Sequence, residues 1–343
     1  MLPGTSPSTS SGTSSGTSPS SPFTLAELDA VADLVGRYVP PTPQFAWPLL
    51  AEAVGAEVWV KHENHTPTGA FKVRGGIVYA DRHVREGKAR RAFISATRGN
   101  HGQSLAFAGR AFGVDVNIVV PRGNSPDKNA AMRAFGATLI EYGHDFQAAR
   151  EHAVELAADR DLEMVPSFHP DLVKGVATYS REFFTGVPEL DAAYVPVGMG
   201  SGICGMIAVR DLLGLRTEVI GVVAEKAAAT ALSFAAGRAV STDTADTFID
   251  GVACRTPDEN AIAAIVSGAS RIVQVSEDLC AEAVRVMYHS THNLAEPSGA
   301  IALAALMAER DAQQGKRIGV VQTGGNIDAP MLVEILGGKT PTI

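Results

Sequence analysis

Between residues 57 and 322 the chain alternates apolar, β-branched runs with stretches of helical periodicity, and few folds accept that pattern. The runs at 57–62, 92–95, 114–120, 138–142, 163–166, 193–197, 218–224, 271–275 and 317–322 are predicted as strands. Helices are predicted over 102–112, 126–135, 145–158, 202–213, 279–290 and 298–314, among others. Strand–helix alternation of this kind builds open, mostly parallel sheets with helices on both faces. In such α/β folds a ligand binds at the C-terminal ends of the strands, beside helix N-termini. The 343 residues suffice for two domains or one large unit, and no solenoid-type period runs through them.

The flanking sequence is simpler. Residues 1–22 are almost all Ser, Thr, Gly and Pro after the first two; they lack the basic and apolar regions of a signal peptide and are expected to be disordered. Thr24 and Glu27 form a predicted capping box ahead of Leu25, Leu28, Val31 and Val35 at helical spacing. Pro40, Pro41 and Pro43 end that helix in an extended link, and a short helix is predicted over 47–53.

Charge and cysteine usage exclude several classes. A net charge of −8 without a long basic run argues against a nucleic-acid partner. Cys204, Cys254 and Cys280 are far apart, with no C-x-x-C, as expected of a reduced cytoplasmic protein without a disulfide framework or cysteine-rich zinc site. No apolar run approaches membrane-spanning length, so no membrane partner is expected.

Chemistry concentrates at one lysine and three glycine-rich turns. Lys72 stands in T-G-A-F-K-V-R-G-G between an aromatic and an apolar residue. Partial desolvation there would lower its pKa and free a neutral amine, the form that makes a Schiff base with an aldehyde. The plainer reading is a solvated lysine early in a helix. Thr97-Arg98-Gly99-Asn100-His101 follows the predicted strand 92–95 and opens a helix, so its free N–H groups suit a carboxylate. The plainer reading there is an ordinary strand-to-helix turn. Gly198, Gly200, Ser201 and Gly202 follow the strand at 193–197 and suit a phosphate. Thr323-Gly324-Gly325-Asn326 puts a hydroxyl at the end of the last strand, where it can meet a heteroaromatic nitrogen. The Asn100 side-chain amide in the first turn can also meet a ring hydroxyl, and one molecule has an aldehyde for Lys72, a phosphate for the 198–202 loop, a ring hydroxyl for Asn100 and a ring nitrogen for Thr323: pyridoxal 5′-phosphate. A rival reading remains, because Gly200, Gly202 and Gly205 also satisfy G-x-G-x-x-G with Glu225 further on, the mark of an NAD-dependent dehydrogenase. Its position past mid-chain, behind a full α/β region, counts against that rival. A non-catalytic small-molecule binder is the third class.

The segments T-G-A-F-K-V-R-G-G, R-G-N-H-G-Q-S, the 198–202 loop, E-P-S-G-A and T-G-G-N stand in the order and spacing of a known family. The chain resembles the fold-type II pyridoxal-phosphate enzymes, and within them the serine/threonine dehydratases (threonine ammonia-lyases) and serine racemases, from about Phe23 onward. The resemblance implies a tryptophan synthase β-like fold of two open α/β domains with the cofactor in the cleft. The small domain would span 67–171, and the large one 23–66 with 172–343. It implies that Lys72 holds the cofactor, Phe71 packs by its ring, and Asn100 bonds the ring hydroxyl. Gly198, Gly200, Ser201 and Gly202 would take the phosphate, and Thr323 would face the ring nitrogen. Thr97, Arg98, Gly99, Asn100 and His101 would hold the substrate carboxylate. Glu296 would lie near the cofactor in a role left open. A homodimer is expected.

Departures from the family pattern matter. Arg98 replaces the small residue common before Gly-Asn-His, which weakens the racemase reading and brings a cation that suits a second carboxylate; an arginine turned outward or paired with an acid is the alternative. Met199 and Ser201 stand where further glycines are common. Glu225 aligns with a divalent-metal ligand of some relatives, but Ala231 occupies the later acidic position, so no metal is expected. His62 and His65 form H-x-x-H, yet strand alternation would send them to opposite faces, away from a shared zinc. Cys204 is expected to be a packing residue. The implied reaction is β-elimination on a 3-hydroxy amino acid: threonine or serine by default, with 3-hydroxyaspartate and phenylserine open because of Arg98. Racemisation and β-replacement are the alternatives on the same fold. The stretch after the last loop is short, and inhibition by isoleucine is not expected.

Overall fold

The computed structural model describes residues 22–88 and 91–342. The tail expected to be disordered lies, except for Pro22, outside the described residues. Among the described residues ten strands form two sheets: β1 Gln44–Ala46, β2 Glu57–His62, β3 Phe93–Ala96, β4 Val116–Val120, β5 Thr138–Glu141, β6 Glu163–Met164, β7 Ala192–Pro196, β8 Glu218–Ala224, β9 Arg271–Val275 and β10 Arg317–Gln322. The larger sheet runs β1-β2-β10-β7-β8-β9 and the smaller β5-β4-β3-β6. Only β1 on β2 is antiparallel; the other pairings are parallel. These are the mostly parallel α/β sheets that the alternation requires.

Three local expectations need correction. The strand predicted at 163–166 stops at Met164; Pro166 has no N–H to give a ladder, and Ser95 Oγ donates instead to Val165 O at 2.9 Å. The helix predicted over 298–314 ends at Ala308, and a separate 3₁₀ turn covers Arg310–Gln313. The proline-rich link continues into the three-residue edge strand β1, too short to show a period.

Two features place the site. Helix Pro297–Ala308 is buried on every side through Leu306, as expected of a helix apolar all round its circumference. It packs on the centre of the larger sheet and brings Glu296, its N-cap residue, to the C-terminal ends of the strands. Helix Lys72–Arg85 is held at its first turn by Arg74, which is fully buried. Arg74 pairs with Glu63 at 2.7 Å and Glu182 at 2.6 Å, and Lys61 reaches the same Glu182 at 2.6 Å. Two cations and two carboxylates thus balance in the interior and tie β2, the Lys72 helix and helix Pro170–Gly186 together.

The two histidines of H-x-x-H do not point apart. β2 ends at His62, the 3₁₀ turn Glu63–His65 breaks the alternation, and the two rings meet edge to face with centroids 5.9 Å apart. Both nitrogens of His62 are engaged: Nε2 accepts from Trp47 Nε1–H at 3.0 Å, so Nδ1–H donates to Gln322 Oε1 at 2.7 Å. Burial pushes this imidazole down to about 4, in keeping with a neutral structural ring. Cys204 is buried in the core, where desolvation raises its thiol to about 12, so it is not a thiolate.

Candidate active site

The starts of four helices, at Lys72, Asn100, Ser201 and Pro297, converge with the ends of β7 and β10 on one cavity. Phe71, Lys72, Asn100, Gly198, Gly200, Ser201, Gly202, Glu296 and Thr323 all line it. The Lys72 loop is built to a fixed shape. Gly69 has φ +68°, a left-handed conformation that favours glycine, and a Cβ there would stand 2.5 Å from Asn326 Oδ1. Thr66 Oγ1 accepts from Ala70 N at 2.9 Å and donates to Ala70 O at 2.8 Å. Phe71 N donates to Thr323 O at 3.0 Å and Gly325 N to Gly69 O at 2.9 Å, so this loop is laced to the loop after β10.

Lys72 opens its helix, and its Nζ lies 5.0 Å from the centroid of the Phe71 ring. The surface it leaves open faces the cavity. Desolvation lowers the pKa of this amine, and the Glu296 carboxylate opposes the shift only in part. Phe71 is in turn fixed by an edge-to-face contact with Tyr179, centroids 5.9 Å apart.

The 198–202 loop leads into helix Ser201–Leu212, whose first N–H groups have no side-chain cap. Gly200 has φ +98°, and a Cβ on Gly198 would stand 2.5 Å from Gly251 O. Uncapped donors at a helix N-terminus, with backbone close on the far side, make a cradle for a dianion. Gly198→Ala should therefore cost about 1–3 kcal/mol of cofactor affinity by forcing that backbone apart. Titrating apoprotein with pyridoxal phosphate, followed by absorbance, checks this.

Asn100 does not stand free. Its Nδ2 donates to Glu296 Oε1 at 2.6 Å, and its Oδ1 accepts from Asn326 Nδ2 at 2.8 Å. Asn326 also donates to Thr68 O at 2.8 Å, which orients the whole chain of amides. Glu296 is buried, and desolvation, the largest influence, raises its carboxyl to about 7; Lys128, Asn100 and Lys72 pull it down, and Asp250 pushes it up. Thr323 Oγ1 lies 3.1 Å from Ser298 O, at the end of β10.

The rest of the first glycine turn stands outside the cavity lining. Thr97 is buried, and its Oγ1 accepts from Gly99 N at 3.2 Å. His101 is buried, and burial with the nearby Lys72 charge pushes its imidazole down to about 3. A Cβ on Gly99 would stand 2.7 Å from Lys128 Cδ. Arg98 is exposed; its carbonyl accepts from Asn124 Nδ2 at 3.1 Å, and its guanidinium has no ion pair among the described residues. Glu225 is exposed beside Asp243 and Asp246 in a separate surface depression, so the acid that a dinucleotide site requires is absent from the cavity. Among the described residues no group of three metal-binding side chains occurs.

Sequence reasoning missed Pro196, Gly251, Val252 and Ser298 as lining residues; Met199 stood out only as a departure within the phosphate loop. It also missed Lys128, whose Nζ meets Asp250 at 2.5 Å and whose charge is felt at Glu296. Only Ser298, inside E-P-S-G-A, carried a local signal.

Residues 35–324 match the family model described as pyridoxal-phosphate dependent enzyme. The chain belongs to that family. This pyridoxal-phosphate dependent enzyme is 31% identical over 289 residues to the L-threonine ammonia-lyase of Thermotoga maritima, covering 84% of this chain and 72% of that protein. It is 28% identical over 319 residues to the L-threo-3-hydroxyaspartate ammonia-lyase of Saccharomyces cerevisiae, covering 92% and 97%. The processed form of threonine deaminase isoform 2 from Solanum lycopersicum superposes with a TM-score of 0.84 at 28% identity, over 94% of this chain and 96% of that one. The enzyme has the fold-type II architecture, and its cofactor is pyridoxal 5′-phosphate. The donor set suits that molecule: an amine of depressed pKa, a neighbouring aromatic ring, uncapped N–H groups for a phosphate, and a buried carboxyl with one unpartnered oxygen.

Proposed function

We propose that the enzyme is a deaminating dehydratase that converts a 3-hydroxy amino acid to a 2-oxo acid and ammonia by β-elimination. The observation that carries this reading is the desolvated, depressed-pKa amine of Lys72 facing a cavity that also holds a phosphate-type cradle. Relatives that carry out ammonia-lyase reactions, matched over most of their length, support it. Lys72 is the residue for covalent attachment, and the 198–202 loop is the phosphate holder. Asn100 is the partner for the ring hydroxyl, and Thr323 for the ring nitrogen. Bound pyridoxal phosphate supplies an aldehyde that captures the substrate amine and a ring that draws electrons from the α-carbon. Lys72 Nζ, once free, takes the α-proton, for which it is already positioned. The uncharged Thr323 hydroxyl cannot protonate the ring nitrogen fully, so the electron sink stays moderate, which favours loss of a β-group. The turn 97–101 is the site for the substrate carboxylate.

Purified protein should be yellow, and borohydride followed by peptide mapping should leave a pyridoxyl group on Lys72. A colourless protein that binds NAD would contradict the reading. For the substrate, the exposed guanidinium of Arg98, without an ion pair among the described residues, favours a second carboxylate, as in 3-hydroxyaspartate. Arg98→Ala should then lower kcat/KM for 3-hydroxyaspartate by about tenfold more than for serine, the worth of one charge-assisted hydrogen bond. Equal effects on the two would leave Arg98 outside substrate recognition.

Residues 67–171 form the small domain in this reading, since the four-stranded sheet lies wholly inside them. Among the described residues no helix is long and apolar enough to cross a membrane. Three unpaired, buried cysteines support a cytoplasmic location. Phe45 and Leu49, 51% and 52% exposed near the sheet edge, support a homodimer, which light scattering would test.

A further inference from the structure

Of the buried side-chain atoms without a partner among the described residues, Glu296 Oε2 alone belongs to a residue that lines the cavity. The carboxylate is held there by design of the surrounding chain. Glu296 is the N-cap residue of a 12-residue helix, yet its side chain does not cap that helix. Its Oε1 is taken by Asn100 at 2.6 Å instead. Gly324 leaves the space, since a Cβ there would stand 2.3 Å from Glu296 Oε1. Charged groups reach Glu296 from three other elements: Lys72 from its helix, Lys128 from helix Pro126–Ala134 and Asp250 from the turn Asp250–Val252. A buried carboxyl with a spare oxygen and mixed-sign neighbours is suited to hold a proton and release it into the cavity.

Loss of a hydroxyl needs such a proton, because hydroxide is a poor leaving group. We propose that Glu296 is the general acid that protonates the substrate's β-hydroxyl as it leaves, while Lys72 collects the α-proton. This rests on the dehydratase reading above. The ledger closes. The Cα–H proton goes to Lys72 Nζ, and the electron pair left at Cα forms the Cα–Cβ double bond. The Cβ–O bond breaks with its pair on oxygen, and that oxygen takes the proton from Glu296 Oε2 and departs as water. Lys72 then returns its extra proton to Glu296, and both groups are reset.

The test compares two leaving groups in the holoenzyme. Chloride needs no proton, so β-chloroalanine uses Lys72 but not Glu296. Glu296→Gln should slow serine at least about 100-fold, the usual worth of a general acid, and slow β-chloroalanine by no more than about tenfold. The absorption spectrum of bound cofactor should stay that of wild type. Wild type on serine should lose rate at high pH sooner than on β-chloroalanine. Glu296→Asp, which keeps an acid one methylene further back, should regain part of the serine rate; if Glu296→Gln does not load cofactor, Glu296→Asp should still slow serine selectively. Equal losses on both substrates, or equal retention, would overturn the proposal. Wild type that releases ammonia from β-chloroalanine but from no 3-hydroxy amino acid would instead sink the dehydratase reading.

Discussion

Lys72→Ala should lose ammonia release by about 10⁴-fold or more while keeping its circular-dichroism spectrum and unfolding midpoint. The size follows from losing two functions of one nitrogen: attachment of the cofactor and general-base removal of the α-proton, the latter alone worth about 10²–10⁴. The fold should survive because the amine makes no hydrogen bond or ion pair among the described residues, and burial already disfavours its charged form. Borohydride should no longer fix a pyridoxyl group at this segment. Retained activity in Lys72→Ala would move the base elsewhere.

Arg74→Met should be the most destabilising single change near the site, at about 3–5 kcal/mol, because it leaves buried carboxylates short of a cation. Glu63 is fully buried with Arg74, and Glu182 would keep Lys61 as its one cation among the described residues. The shift in the urea midpoint measures it. Lys88→Ala, which breaks the exposed pair with Glu86, should leave the same midpoint nearly unchanged. Since Arg74 stands two residues beyond Lys72 in one helical turn, its loss should also loosen the cofactor. A small effect would mean that the network relaxes around solvent.

Much of this site was legible because its parts are local. Lys72 in its apolar setting, the glycines after β7 and the hydroxyl after β10 are each short signals at predicted strand ends, and the fold brings them together. Strands with strong β-branched runs, β8, β9 and β10, fall where their apolar runs predict. What escaped is what depends on distant partners. The Asn100–Glu296 bond joins residues 196 positions apart, and Lys128–Asp250 joins residues 122 apart; nothing in either segment announces the other. The H-x-x-H pair escaped for another reason: alternation was carried past the end of β2 into a 3₁₀ turn, where it no longer applies. Arg98 was legible as a departure, but its exposure was not.

The most direct test of the account is to incubate the yellow holoenzyme with threonine, serine, 3-hydroxyaspartate and phenylserine and to measure ammonia and 2-oxo acid together. Equal amounts of both from at least one substrate, with none from Lys72→Ala, is the predicted result. Racemisation or β-replacement without ammonia, or no reaction with any of the four, would contradict it.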